Sequence, residues 1–166
     1  MKIRNGFVSN SSSSSFIVAL PKKPKNVEEM RQLLFGDDKE TPLFAPFSDD
    51  TYSQKQVAET VFGDLKTAIK EDKVVEEISH GYFEGYPQHD YSWRKDESED
   101  DRQKRWQEET KKVHEAAQKL ADRFIADNKG KKFFVFSYSD NDGDYSSTLE
   151  HGDTFNRLPH LVISHH

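Results

Sequence analysis

The chain has 166 residues, 33% hydrophobic and 33% charged, and 30 acids against 24 Lys and Arg give a net charge of −6. No apolar run approaches the ~20 residues of a membrane-spanning helix. The absence of Cys excludes a disulfide scaffold, a thiolate zinc site and a cysteine nucleophile together.

The first apolar run, Phe16 to Leu20, ends at Pro21 and is short enough for a strand buried on both faces. Ahead of it stand Ser9, Asn10 and five consecutive serines, Ser11, Ser12, Ser13, Ser14 and Ser15. Gly6 to Ser15 is mostly polar where a secretory signal would need its apolar segment, so a cytoplasmic chain is expected. Asn26 can cap a helix whose Glu28 and Glu29 suit its positive end. Met30, Leu33, Leu34 and Phe35 form its apolar stripe, and Gly36 stops it. Residues 37–53 read as a loop, with Leu43, Phe44 and Phe47 packing back onto the core.

A second helix is predicted from Ser53 or Gln54 to about Glu71, on the spacing of Val57, Val61, Leu65, Ala68 and Ile69. Gly63 weakens it by ~1 kcal/mol relative to Ala. Val74 to Ser79 fits a turn of helix or a short strand equally. Residues 80–97 are irregular and rich in Gly, Tyr, His and Trp. The clearest helix starts at Ser98, with Asp101 three residues on, and stops at Asn128 to Gly130. Trp106, Val113, Ala116, Ala117, Leu120, Phe124 and Ile125 trace its stripe. At ~1.5 Å per residue it reaches roughly 45 Å, so its first turns project or bend.

Phe133 to Tyr138 is a β-rich run, and Asn141-Asp142-Gly143 is a hairpin signal returning Tyr145 to Leu149 antiparallel. Leu161 to Ser164 offers a last strand. The expected fold is α+β: a small, mostly antiparallel sheet of the first strand plus a carboxyl-terminal hairpin and strand, packed with about three helices. A single domain over 1–166 is expected. It comprises leader and first strand (1–20), a helical insert (21–130) and a carboxyl-terminal β part (131–166).

Chemistry concentrates in three places. The segment after Ser139 gathers Asp140, Asp142, Asp144, Glu150, His151, Asp153, His160, His165 and His166. Carboxylates with imidazoles are the ligand set for a divalent transition metal when sulfur is absent. Glu150, His151, His160 and His165 are the candidate ligands, with Asp153 as general base or water ligand. An EF-hand is rejected, because the Gly and Glu of that loop fall at the wrong positions. Acids at a hairpin tip are also, more simply, a solvated surface. The serine run is the second place. Its composition is that of a linker, but its hydroxyls can bond neighbouring backbone or accept phosphate. No Ser-His-Asp order is identifiable. Third, Tyr82, Phe83, Tyr86, Tyr91, Trp93 and Trp106 interleave with His80 and His89. They form either a flap that buries its own rings or a partner-binding surface, for which Tyr86, Tyr91, Trp93 and Trp106 are the candidates.

The opening RNGFVSNSSSSSFIV resembles the start of a group of small bacteriophage and bacterial proteins that share a G-F-V-S-N-S-S-S-S-S-F leader. The ending, DNDGDYSSTLEHG with FNRLPHLVISHH, is similar to the tail of some of them, and the two segments cover roughly a quarter of the chain. The resemblance implies a phage or prophage setting and a serine segment that is more than filler; it carries over no catalytic residue. The expected function is a non-catalytic accessory protein binding a host or phage protein, with neither nucleic acid nor membrane as partner. The alternatives are a metal-dependent hydrolase or nucleotide-processing enzyme on the Glu150–His151–His160–His165 set, and a small-ligand or modification module on the serines.

Overall fold

Consecutive burial of Phe16, Ile17, Val18, Ala19 and Leu20 decides the architecture. A strand alternates its side chains between two faces, so five buried residues in a row require a layer on each side. The computed structural model describes residues 13–44, 49–90, 92–139, 146–151 and 153–165. In it β1 (Ser13–Leu20) is the central strand of an antiparallel sheet, flanked by β4 (Lys132–Ser139) and β5 (His160–Ser164). Phe16 stands opposite Phe136 on one side and Val162 on the other. Head and tail of the chain are therefore neighbouring strands.

Phe16, Val18 and Leu20 face a first layer made by α1 (Val27–Phe35), α2 (Gln54–Gly63) and the short α5 (Ser146–His151). Ile17 and Ala19 face a second layer of α3 (Glu71–Ile78) and α4 (Glu99–Asp127). The fold is α+β, with five helices and a two-stranded β2–β3 ribbon (Leu43–Phe44 and Thr51–Tyr52) among the described residues.

Local chemistry sets the helix ends. Asn26 Oδ1 accepts the Glu29 amide at 2.9 Å, Ser53 and Gln56 form a reciprocal capping box, and Ser98 Oγ accepts the Asp101 amide at 3.1 Å. Arg31, only 4% exposed, grips both oxygens of Glu28 at 2.9 and 3.0 Å. It also donates to Gly36 O, Asp38 O and Gln54 Oε1, joining α1 to α2. Among the described residues each sheet edge is met by one bridge: Ile69 with Phe133 on β4, and Tyr82 with Ser164 on β5. Gly81 permits the second approach, since a Cβ there would meet Ser164 O and lie 2.7 Å from Ile163 Cγ2.

Several expectations are corrected. The return strand over Tyr145 to Leu149 is instead helical where described: Ser146–His151 is α5, and Thr148, Leu149 and Glu150 are buried in succession. Asn141, Asp142, Gly143 and Tyr145 lie outside the described residues. α2 ends at Gly63 rather than near Glu71, because Gly favours leaving the helix and residues 64–70 must pass around the β4 edge to the second layer. Val74 to Ile78 belongs to a helix. Phe44 does not pack inward but is 68% exposed; its β2 neighbour Leu43, paired with Tyr52 on β3, faces the core instead, as strand alternation demands. Phe47 lies outside the described residues. Trp106, expected in the buried stripe of α4, is 65% exposed.

Candidate functional site

The serines first. Ser13 to Ser15 continue β1 and alternate across the sheet; Ser11 and Ser12 lie outside the described residues. Ser14 turns toward the first layer, is 5% exposed, and donates to Glu150 Oε1 at 3.3 Å. Ser15 turns to the opposite face, where its hydroxyl lies 2.8 Å from both Ser137 Oγ and His165 Nε2. The run is thus a polar extension of the central strand, held on both sides by Ser139, Ser137 and Ser164.

Glu150 and His151 sit together on α5. The Glu150 side chain is fully buried, with Oε2 3.4 Å from His151 Nε2. A buried carboxyl is costly unless hydrogen-bonded or paired, and Ser14 and His151 supply those contacts. Tyr138, opposite Ser14 on β4, is also buried; burial pushes its phenol far above the ordinary range, and the Asp64 carboxylate adds to that. His160 is elsewhere on the same face, opposite Val18, where it faces Phe16 and Phe155 and its Nδ1 lies 2.9 Å from Leu158 O. Four strand residues, ~13 Å, separate the Ser14 and Val18 levels. His165 is on the other face beside Ser15. The four sequence-selected ligands therefore do not converge, and among the described residues no three His, Asp or Glu side chains group to hold a metal ion.

Beside Glu150 lies a cleft of about 270 Å³ between the β2 ribbon and α5, lined by Pro42, Leu43, Phe44, Thr148, His151, Asp153 and Thr154. Thr154 Oγ1 donates to Thr148 O at 3.2 Å, tying the following turn to α5.

The aromatic segment belongs to the second layer. Phe83 is buried, and Tyr86 packs edge-on against it at 5.1 Å and against Tyr82 at 4.7 Å. The Tyr86 hydroxyl lies 3.1 Å from His89 Nε2. His89 Nδ1 in turn lies 3.1 Å from Glu109 Oε2, with side chains only 7% and 18% exposed. Lys112, bonded to Glu109 at 2.7 Å, holds that carboxyl below its ordinary value. Arg105 forks onto Glu97 at 2.8 and 2.6 Å and reaches the Asp90 carbonyl. The described residues on either side of position 91, 86–90 and 92–97, are so fastened along α4. Tyr91 lies outside the described residues.

α4 itself is 29 residues, roughly 44 Å long. Its buried side chains, Ala117, Leu120, Ala121 and Phe124, all lie in its second half. Trp106 is two turns before half-buried Val113 on the same face, where nothing among the described elements covers it: it is 65% exposed and Trp93 is 75% exposed. No family model, curated protein or solved structure matches the chain. No helix among the described residues is long and apolar enough to cross a membrane.

Sequence reasoning missed Arg105, Glu97 and the His89–Glu109 pair, whose members are 8 and 20 positions apart and leave no periodic signal. It also missed Thr148 and the position of Phe44 on the cleft rim.

Proposed function

We propose that the protein is a non-catalytic interaction module that presents the projecting half of α4, with Trp93 and Trp106, to a protein partner. One observation carries this reading: two tryptophans stand 75% and 65% exposed on an arm that adds no buried side chain to the core. The same arm is braced by the Arg105 fork and the His89–Glu109 pair. Tryptophan dominates binding hot spots, and bracing lowers the ordering cost of association. Each Trp can remove ~150–250 Å² from water. Two supply about half of the ~800 Å² a standard interface takes from one partner. The partner therefore offers an apolar pocket for the rings and a polar rim for Glu99, Arg102 and Gln103, which border Trp106. The resemblance of leader and tail supports a partner from a phage or its bacterial host, met in the cytoplasm.

The test compares proteins captured from phage-infected bacterial lysate by the native chain and by the Trp93→Ala/Trp106→Ala variant. The captured protein is then purified and titrated against both. Loss of capture, with affinity falling at least ~30-fold (about 2 kcal/mol) and an unchanged melting temperature, supports the reading. Equal affinities refute it.

A further inference from the structure

At its Ser13 end the sheet carries a second polar cluster, on the face opposite Glu150. Ser15 of β1 meets there Ser137, its partner on β4, and His165, which follows β5. The Ser15 hydroxyl lies 2.8 Å from Ser137 Oγ and 2.8 Å from His165 Nε2. His165 is placed by two further contacts. Its amide donates to Ser13 O at 3.0 Å, and its ring lies against Gly81, where a Cβ would come 3.0 Å from Nδ1. Gly81 is itself held by its neighbour Tyr82, whose amide and carbonyl bond Ser164 at 2.7 and 2.8 Å. Ser15 and His165 are 150 positions apart in sequence, and it is the sheet register that brings them together.

This geometry has a chemical consequence. A hydroxyl carries one proton and two lone pairs. With Ser137 donating to Ser15 Oγ and the imidazole protonated on Nδ1, the Ser15 proton points at Nε2. A hydroxyl within hydrogen-bond reach of an imidazole that can take its proton is an activated nucleophile. We propose that Ser15 is an acyl acceptor for activated carboxylic esters, with His165 as its general base. In the step, Ser15 Oγ adds to the ester carbonyl carbon as its proton passes to His165 Nε2. The bond from that carbon to the leaving oxygen then breaks, and the imidazolium returns the proton to the departing oxygen. Ester and serine become a Ser15 ester and a free alcohol, with nothing oxidised or reduced. The cluster shares no residue with the Trp93–Trp106 arm, so this inference stands independently of the interaction reading.

The experiment treats the full chain with p-nitrophenyl acetate, follows release of p-nitrophenolate by absorbance and locates the acetyl groups by peptide mass spectrometry. Ser15 should acetylate at least ~10-fold faster than any other serine, because a paired base activates it alone. His165→Gln should slow that labelling at least ~10-fold, the low side of what a positioned base supplies, and Ser15→Ala should abolish it. Ser15 is half-buried and His165 exposed, so both variants keep the fold, which melting temperatures within ~2 °C of the native chain check. Release of one equivalent marks a lasting modification. Release beyond one equivalent that needs both side chains marks turnover; it supports the nucleophile while refuting a non-catalytic chain. Acetylation confined to other residues, a Ser15 rate no higher than that of other serines, or an unchanged Ser15 rate in His165→Gln overturns the proposal.

Discussion

Replacing Ser14 and Ser15 one at a time by Ala tests the placement of the serine run, since neighbours on a strand face opposite ways. Ser14 is 5% exposed and its hydroxyl donates to the buried Glu150 at 3.3 Å. That distance is long for O–H···O, where 2.5–3.0 Å is usual, so the contact belongs at the weak end for a carboxyl acceptor. Removing it also takes a donor from a side chain that water does not reach. Together these cost about 1–2 kcal/mol. Ser15 is half-buried, and water can replace its contacts with Ser137 and His165, so its loss stays within ~0.5 kcal/mol. For a chain of this length ~1 kcal/mol moves the melting temperature by roughly 2–4 °C. Ser14→Ala should therefore melt ~3–6 °C lower and Ser15→Ala less than ~2 °C lower, with urea midpoints moving in the same order. A larger loss for Ser15→Ala would refute the register, because a one-residue slip exchanges the two faces.

Two further outcomes follow from named charges. Arg105→Gln removes the fork onto Glu97 and the bond to the Asp90 carbonyl while touching no core residue. Amide exchange over residues 92–97 should rise at least ~10-fold with little change in melting temperature; unchanged exchange would show that the fork does not brace the segment. Arg31 and Lys39 hold the Glu28 carboxyl at about 2 against an ordinary 4.5, the Arg31 hydrogen bond being the largest cause. A depressed folded value means its stabilisation is fully present above pH 4.5 and is lost as pH falls through about 2. The melting-temperature gap between native chain and Glu28→Gln should accordingly close across that window, and a gap constant with pH would count against the pairing.

The strands were legible where apolar residues marked them. Phe16 to Leu20 is a short apolar run that suits a strand buried on both faces, and Phe133 to Tyr138 is a run rich in β-forming residues. The extension through Ser13 to Ser15 was not legible, because its partners Ser137, Ser139 and Ser164 are equally polar and leave no apolar period to read. The segment ending at Leu149 misled for a different reason. The Asn141-Asp142-Gly143 turn signal suggested a returning strand, whereas Thr148, Leu149 and Glu150 are all buried at the end of a helix wedged between β4 and the β2 ribbon. Glu150 and His151 were found together because they are adjacent in sequence. His160 parts from them by distance along β1, opposite Val18 rather than Ser14, and His165 by facing the other way beside Ser15.

The projecting half of α4 is held by other means than the core. Ordering a residue costs roughly 1–2 kcal/mol of backbone entropy, and burial normally offsets it. Before Val113 the described helix has no buried side chain, so the offset must be local. It comes from the Ser98 cap, from Glu99–Arg102 and Lys112–Glu109 pairs three residues apart, and from the Glu97–Arg105 fork. Pairs on a helix surface contribute only a few tenths of a kcal/mol each, which is why the 86–97 segment, with its nearly buried His89–Glu109 contact, is needed to hold the arm straight. Such bracing does nothing for the sheet, whose two faces are already closed by α1, α2 and α5 on one side and α3 with the rest of α4 on the other. What it holds in place is the pair of exposed tryptophans, the surface on which the proposed interaction reading rests.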